Sequence, residues 1–216
     1  MEFYYSFLSY CEGDAESMID RACKAIDNWG EIGIEPLLGT AWSLLGAGYF
    51  LFGDHEMALA YAEKGLEIQK RSEITSLVPL SCYFLTLIRS ATGNPDGAME
   101  SAEEALKLSQ EFGANTFEAF ALIALGRIAG EANPLQVEVA EAYIRQGISL
   151  ANELQTKPIV AQGYLFLGEV FEIAGRKEKA MENLRKSEGL YQDLGVSPKS
   201  YWLTRIREAL ARIGNE

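Results

Sequence analysis

The sequence predicts an all-α solenoid of about five helix pairs followed by a C-terminal capping helix. Three observations predict it: a repeat of about 40 residues, helical spacing of small residues within each repeat, and turn-forming residues between the helices. The repeat is clearest in a column of equivalent positions separated by 40, 40, 42 and 40 residues: Met18, Ala58, Ala98, Ala140 and Ala180. A fixed period of this length is typical of repeat architectures, in which each unit buries its apolar face on the next one.

The second helix of each unit is predicted by residues that follow this column at helical spacing. Ala22, Ala62, Ala102, Ile144 and Leu184 lie four positions after it, and Ala25, Gly65, Ala105, Gly147 and Ser187 lie seven after it. Offsets of 0, 4 and 7 trace one stripe along an α-helix. The small residues on this stripe allow a neighbouring helix to approach closely, whereas large ones would overpack the contact.

The first helix of each unit carries a Leu-Gly pair and ends at a turn rich in Gly, Asn, Asp or Pro. The pair occurs as Leu45-Gly46-x-x-Tyr49, Leu125-Gly126 and Leu167-Gly168-x-x-Phe171. The fourth turn, residues 130–134, is longer and accounts for the spacing of 42. We therefore predict one domain over residues 1–216, with repeats at about 1–31, 32–73, 74–113, 114–156 and 157–196 and a capping helix at 197–213.

The chain resembles the tetratricopeptide repeat over essentially its whole length. The resemblance lies in the motif Leu-Gly-x-x-Tyr, followed by a turn and then by a second helix that begins with Ala. The family unit has about 34 residues, so the units here are about six residues longer. The longer units are similar to those of bacterial signalling proteins, especially regions downstream of ATPase modules in cyclase-type and maltose-regulator-type regulators. The resemblance implies a right-handed α-α superhelix whose first helices line the concave face.

The resemblance also implies which positions face a partner. Nine residues are predicted to line the groove: Phe7, Ser43, Phe50, Tyr83, Leu87, Phe120, Arg127, Gln162 and Glu169. The first part of this set is apolar and aromatic, and the last part is polar, so it suits an amphipathic helix or a segment with a hydrophobic anchor. The alternative is that the aromatic side chains serve only in helix packing, or that a flanking segment of the chain itself covers them. Arg127 is expected on the surface.

Chemistry other than binding finds little support in the sequence. The net charge of −12 argues against a nucleic-acid partner. The single histidine, His55, lies in a predicted turn, and the three cysteines have no zinc-site spacing, so we expect no catalytic residue, metal or cofactor. Cysteines without a framework spacing predict reduced, buried thiols in a cytoplasmic protein. The uncharged residues 36–53 fall in phase as a buried first helix, so we expect no membrane span.

The predicted function is therefore a non-catalytic scaffold that binds a protein or peptide, as the sensory or adaptor segment of a larger bacterial signalling regulator. One alternative is the C-terminal, non-catalytic part of a protein with nucleotide cyclase or ATPase activity. Another is a homo-oligomerisation module. The N-terminus opens on aromatic and aliphatic residues without a capping helix, namely Phe3, Tyr4, Tyr5, Phe7 and Leu8. We expect either that further repeats precede this chain or that this end is a homodimer contact.

Overall fold

The computed structural model describes residues 2–72 and 76–215, apart from the side chains of Phe3 and Tyr4. The described residues form eleven α-helices and no strand. The helices are α1 (Glu2–Glu12), α2 (Ala15–Ile32), α3 (Glu35–Phe52), α4 (His55–Arg71), α5 (Val78–Ala91), α6 (Pro95–Glu111), α7 (Asn115–Ala132), α8 (Val137–Glu153), α9 (Lys157–Ile173), α10 (Lys177–Asp193) and α11 (Tyr201–Asn215). The predicted fold class, helix pairs followed by a terminal helix, is confirmed.

The chain divides into two compact units, one ending at Ala114 and the other beginning at Asn115. In the first unit, the helix pairs α1–α2, α3–α4 and α5–α6 pack on one another in order. In the second unit, the pairs α7–α8 and α9–α10 do the same, and α11 packs on α9 and α10. The interpretation of the whole chain as a single domain with the repeat bounds given above stays a prediction.

The column of small residues forms the contact between the two helices of each pair. Met18, Ala58, Ala98, Ala140 and Ala180 are all fully buried, as predicted. In three of the pairs, the partner of this column is the Leu-Gly glycine of the first helix, namely Gly46, Gly126 or Gly168. A Cβ atom added to Gly46 would lie 2.7 Å from the carbonyl oxygen of Ala58 and from the backbone nitrogen of Ala62. The backbones of α3 and α4 therefore touch at a place where only a hydrogen fits.

Three turns within the pairs combine a glycine of positive φ with a side-chain cap, whereas Arg176 begins α10 without a side-chain cap. Gly53 has φ of 94°, and the Asp54 carboxylate then accepts a hydrogen bond of 3.1 Å from the backbone N–H of Met57 at the start of α4. Asp14 and Asn94 cap α2 and α6 in the same way. Such caps satisfy backbone donors that would otherwise have no partner. The long fourth turn instead contains a 3-10 turn, Pro134–Gln136, before α8 begins.

The sequence predicted that no helix spans a membrane and that the cysteines are buried thiols. None of the described helices combines the length and apolar character needed to cross a membrane, and the uncharged stretch lies within α3. The three cysteines are free thiols, but they are not all buried. Cys82 is buried, Cys11 is half-buried and Cys23 is exposed on α2, because position 23 falls on the solvent side of that helix.

Candidate partner-binding site

All nine residues predicted to line a groove lie on the odd-numbered helices α1, α3, α5, α7 and α9. Phe7 is half-buried on α1. The other eight expose at most 9% of their surface: Ser43, Phe50, Tyr83, Leu87, Phe120, Arg127, Gln162 and Glu169. These eight side chains contact other parts of this protein, so a partner could reach them only if neighbouring helices moved apart. Their role in partner binding stays a prediction.

Helices α5, α7 and α9, and most of α3, are buried because neighbouring helices enclose them, whereas α1 and α11 expose part of their surface. Every residue from Val78 to Ile88 in α5 and from Ala119 to Ile128 in α7 is buried. In α9, residues 159–171 are buried except for Tyr164. A helix that is apolar all round is expected in a core, and the uncharged sequence of α3 already carried this signal. The even-numbered helices each bury one stripe and present the remaining faces to solvent.

In the first unit, an aromatic cluster fills the space where an open groove was expected. The hydroxyl groups of Tyr10 and Tyr83 are 2.6 Å apart and buried. The Tyr10 ring lies edge-on to the rings of Tyr83 and Phe84, with centroids 6.0 and 5.0 Å away. This contact joins α1 to α5 across 73 residues of sequence. Tyr10 was not among the predicted residues, although it precedes Phe50 by one period of 40.

In the second unit, charged side chains occupy the corresponding interior. Arg127 Nε lies 3.3 Å from Glu169 Oε2, and Arg127 Nη2 lies 2.7 Å from Glu131 Oε1. Arg205 on α11 makes a two-pronged contact with Glu169, with Nη2 2.9 Å from Oε2. Its Nη1 donates to the Tyr201 hydroxyl at 3.0 Å. We call Arg127, Glu131, Glu169 and Arg205 the buried ion cluster.

The surface placement expected for Arg127 is wrong. Its side chain is 7% exposed, and its guanidinium lies over the Phe166 ring, 4.8 Å from the centroid. The Arg205 guanidinium lies 5.7 Å from the centroid of the same ring. Two arginines, two carboxylates and an aromatic face therefore enclose one another, which is how charges are tolerated in an interior. Sequence reasoning missed Arg205 because it lies 36 residues after Glu169, out of step with the period of 40.

The ion cluster keeps Glu169 charged. Burial by itself would raise the pKa of this carboxyl group, but the charges of Arg205 and Arg127 outweigh burial and hold the pKa below its ordinary value of 4.5. Since both guanidinium groups are already shared with carboxylates, the cluster is neutral in sum. It fastens α11 to α9 and α7, and it offers no excess charge to a ligand.

The exposed surface consists mainly of the outer faces of the even-numbered helices. A shallow depression of about 350 Å³ lies on α8, lined by Glu138, Val139, Ala142, Tyr143 and Gln146. A second one of about 500 Å³ lies on α10 and is lined largely by charged residues, Glu178, Glu182, Arg185 and Lys186 beside Met181. Within the described residues, no three His, Cys, Asp or Glu side chains are grouped so as to hold a metal. The arrangement is suited to contact with another macromolecule.

Comparison with known proteins supports the assignment of a helical repeat fold. Residues 161–194 match the family model of the tetratricopeptide repeat. No curated protein sequence matches the chain. Among solved structures, BtubC (BKLC) from P. vanneervenii has a TM-score of 0.62 at 19% identity, and the match covers 93% of this chain and 83% of that one.

Two other similar structures are longer than this chain. A Rap protein complexed with Competence and Sporulation Factor has a TM-score of 0.65 at 15% identity, over 99% of this chain and 62% of that one. A STAND protein with a tetratricopeptide repeat sensor, from Pyrococcus horikoshii, has a TM-score of 0.61 at 18% identity, over 96% of this chain and 30% of that one. At these identities the likeness concerns the fold, and the predicted resemblance to tetratricopeptide repeat proteins is confirmed.

Proposed function

We propose, from the tetratricopeptide-like fold of this chain, that it is a non-catalytic scaffold for a protein or peptide and forms the sensory or adaptor segment of a larger bacterial signalling regulator. Two similar structures support this proposal. One is a STAND protein whose repeat region is a sensor, and the other is a Rap protein complexed with a signalling factor. Stacked helical repeats create extended surfaces, and repeat proteins use such surfaces for binding.

The observation that carries the proposal is the difference in burial between the two helices of a pair. Helices α3, α5, α7 and α9 form the interior of their units, and the even-numbered helices bury a single stripe each. Tertiary structure therefore needs only a small part of each even-numbered helix, and the remaining faces are available to a partner. Exposed apolar side chains at the turns that lead into the even-numbered helices, Phe52 at 63% and Leu135 at 92%, suit a partner segment with a hydrophobic anchor.

The cysteines and the net charge support a proposal for the compartment and for the class of partner. Free thiols without a disulfide support a cytoplasmic location. The net charge of −12 makes a nucleic acid an unsuitable partner. We propose neither a metal nor a cofactor, and we propose no enzymatic activity for this chain.

A second candidate is that this chain is the C-terminal, non-catalytic part of a nucleotide cyclase or ATPase. The observation that favours it is the STAND protein, of which this chain matches 30%. A third candidate is homodimerisation through the N-terminal aromatic end. Tyr5 and Leu8 on α1 favour it, since they expose 43% and 42% of their surface. The side chains of Phe3 and Tyr4, which belong to the same expected contact, lie outside the described residues.

The test is a selection of displayed random peptides against the folded chain, followed by measurement of the dissociation constant of the selected peptides. We expect saturable binding by peptides with apolar residues at helical spacing, and no binding to the heat-unfolded chain. Peptides that bind folded and unfolded chain equally, or a selection without any saturable binder, would contradict the proposal.

A further inference from the structure

The outer face of α8 carries an apolar stripe that no described part of the chain covers. Leu135 is 92% exposed, Val139 is 49% exposed, Ala142 is exposed and Tyr143 is half-buried. Val139, Ala142 and Tyr143 share one side of α8 by their helical spacing, and Leu135 precedes them in the 3-10 turn Pro134–Gln136. Of the other large apolar side chains in the described residues, none is exposed by more than 66%. Leu135 is therefore the most strongly exposed hydrophobic anchor on the described surface.

The stripe begins where the repeat departs from its regular period. Leu135 lies in the 3-10 turn Pro134–Gln136, in the long turn that makes the fourth spacing 42 instead of 40. The other turns within the pairs each contain a glycine with positive φ, namely Gly13, Gly53, Gly93 and Gly175. The longer turn instead places an apolar side chain in solvent at the start of α8.

The charges beside the stripe determine what can cover it. Glu138 and Arg145 lie on the same side of α8, seven residues apart, with Ala142 near the midpoint. Their side chains are 66% and 54% exposed, although Glu138 pairs with Arg176 and Arg145 pairs with Glu141. Exposed pairs of this kind are weak, so both charges can also interact with a further partner.

We propose that the outer face of α8 is a self-association surface, on which α8 of a second copy packs antiparallel about Ala142. A two-fold axis makes every contact reciprocal. Glu138 of each copy then lies opposite Arg145 of the other copy, so that one attractive pair lies on each side of the two-fold axis, with Val139, Ala142 and Tyr143 between them and Leu135 at the edge. The small side chain of Ala142 at the centre lets the two helices approach closely. The order of charges along α8 is thus complementary to itself.

The exposed apolar face of α1 lacks this complementarity. Tyr5 and Leu8 are flanked by Glu2 and Glu12. An antiparallel contact centred on this face places Glu2 of one copy opposite Glu12 of the other, and Arg21, which pairs with Glu2 and lies over the Tyr5 ring, offsets only one of the two negative charges. Electrostatic complementarity therefore favours α8 over α1 as the two-fold contact. The α8 stripe is small compared with a standard interface, so the dimer is expected to be weak and dependent on concentration.

The experiment is sedimentation equilibrium of the chain from low micromolar to several hundred micromolar concentration. We expect a reversible monomer–dimer equilibrium in the wild type. Leu135→Asp should raise the dimer dissociation constant at least about tenfold, because it replaces the most exposed apolar side chain of the contact by a carboxylate. Leu8→Asp on α1 is the matched control and should leave the dissociation constant unchanged. Circular dichroism melting verifies that both variants are folded.

A charge exchange tests the antiparallel register itself. Glu138→Arg and Arg145→Glu should each weaken the dimer, and the double variant should regain most of the wild-type affinity. A wild-type chain that stays monomeric throughout overturns the proposal, as does a dimer that is lost in Leu8→Asp and kept in Leu135→Asp. A dimer that both single charge variants leave unchanged overturns the register. Peptide binding to a monomeric chain would remain intact, so this proposal can fail without the proposed function failing.

Discussion

At the scale of single residues, the chain depends on positions where a helix meets its partner without a side chain between them. Gly46 is such a position, because an added Cβ would lie 2.7 Å from backbone atoms of α4. Gly189, within α10, is the opposite case, since nothing lies within 4 Å of an added Cβ. Substitution of both glycines therefore distinguishes a steric need for glycine at a helix contact from the general effect of glycine on helix stability.

We predict that Gly46→Ala lowers the free energy of unfolding by about 2 kcal/mol or more, because α3 and α4 must move apart to admit the methyl group. The matched change Gly189→Ala should raise stability by up to about 1 kcal/mol, because alanine is the better helix former. Urea unfolding followed by circular dichroism measures both. Equal effects of the two changes would show that α3 and α4 are not in backbone contact.

Arg127 provides a second prediction at this scale. Arg127→Ala leaves Glu131 and the buried Glu169 with one fewer partner, so we expect a loss of about 3 kcal/mol in unfolding free energy. Lys24 is the control, because its pair with Asp20 is 2.6 Å long but about 60% exposed on both sides. Lys24→Ala should cost less than about 0.5 kcal/mol. A near-neutral Arg127→Ala would place this side chain on the surface after all.

At the scale of helices, the register of each pair is set by the column that contains Ala98. Ala98 is fully buried on α6, whereas Glu100 on the same helix is exposed. Ala98→Trp should therefore reduce the unfolding free energy by about 3 kcal/mol or more through overpacking. Glu100→Trp should have little effect. Thermal melting of both variants tests the register, and an unchanged melting temperature for Ala98→Trp would refute it.

The attachment of α11 should depend on pH through the buried ion cluster. The pKa of Glu169 is lowered in the folded state by Arg205 and Arg127, despite the opposing effect of burial. Its contribution is present above the ordinary pKa of 4.5 and is lost as pH falls through the lower, folded-state value. We predict that the wild type loses stability below about pH 4.5 more steeply than Glu169→Gln, whose side chain does not titrate.

The control for this prediction is Glu182→Gln. The pKa of Glu182 is also lowered, by its hydrogen bond with Lys186, but this pair is exposed and contributes little. Glu182→Gln should therefore keep the wild-type acid dependence of the melting temperature. If Glu169→Gln keeps it as well, the ion cluster does not set the acid stability.

At the scale of the whole molecule, the period of the sequence was sufficient to predict the fold class and the buried columns. Burial of Phe50 and Tyr83 could also have been foreseen, since α3 and α5 have almost no polar face. The pairing of Glu169 with Arg205 could not, because α11 follows a linker that breaks the period. Contacts between residues that are far apart and out of register depend on tertiary packing, which periodicity does not encode.

The most direct test of this account is hydrogen–deuterium exchange of the chain with and without a selected peptide. The account predicts that binding slows exchange in segments of the even-numbered helices and their turns, while the already protected helices α5, α7 and α9 stay unchanged. Exchange that changes only in α5, α7 and α9 would contradict it. In that case the partner enters between the inner helices, and the nine residues predicted from the sequence form the binding site.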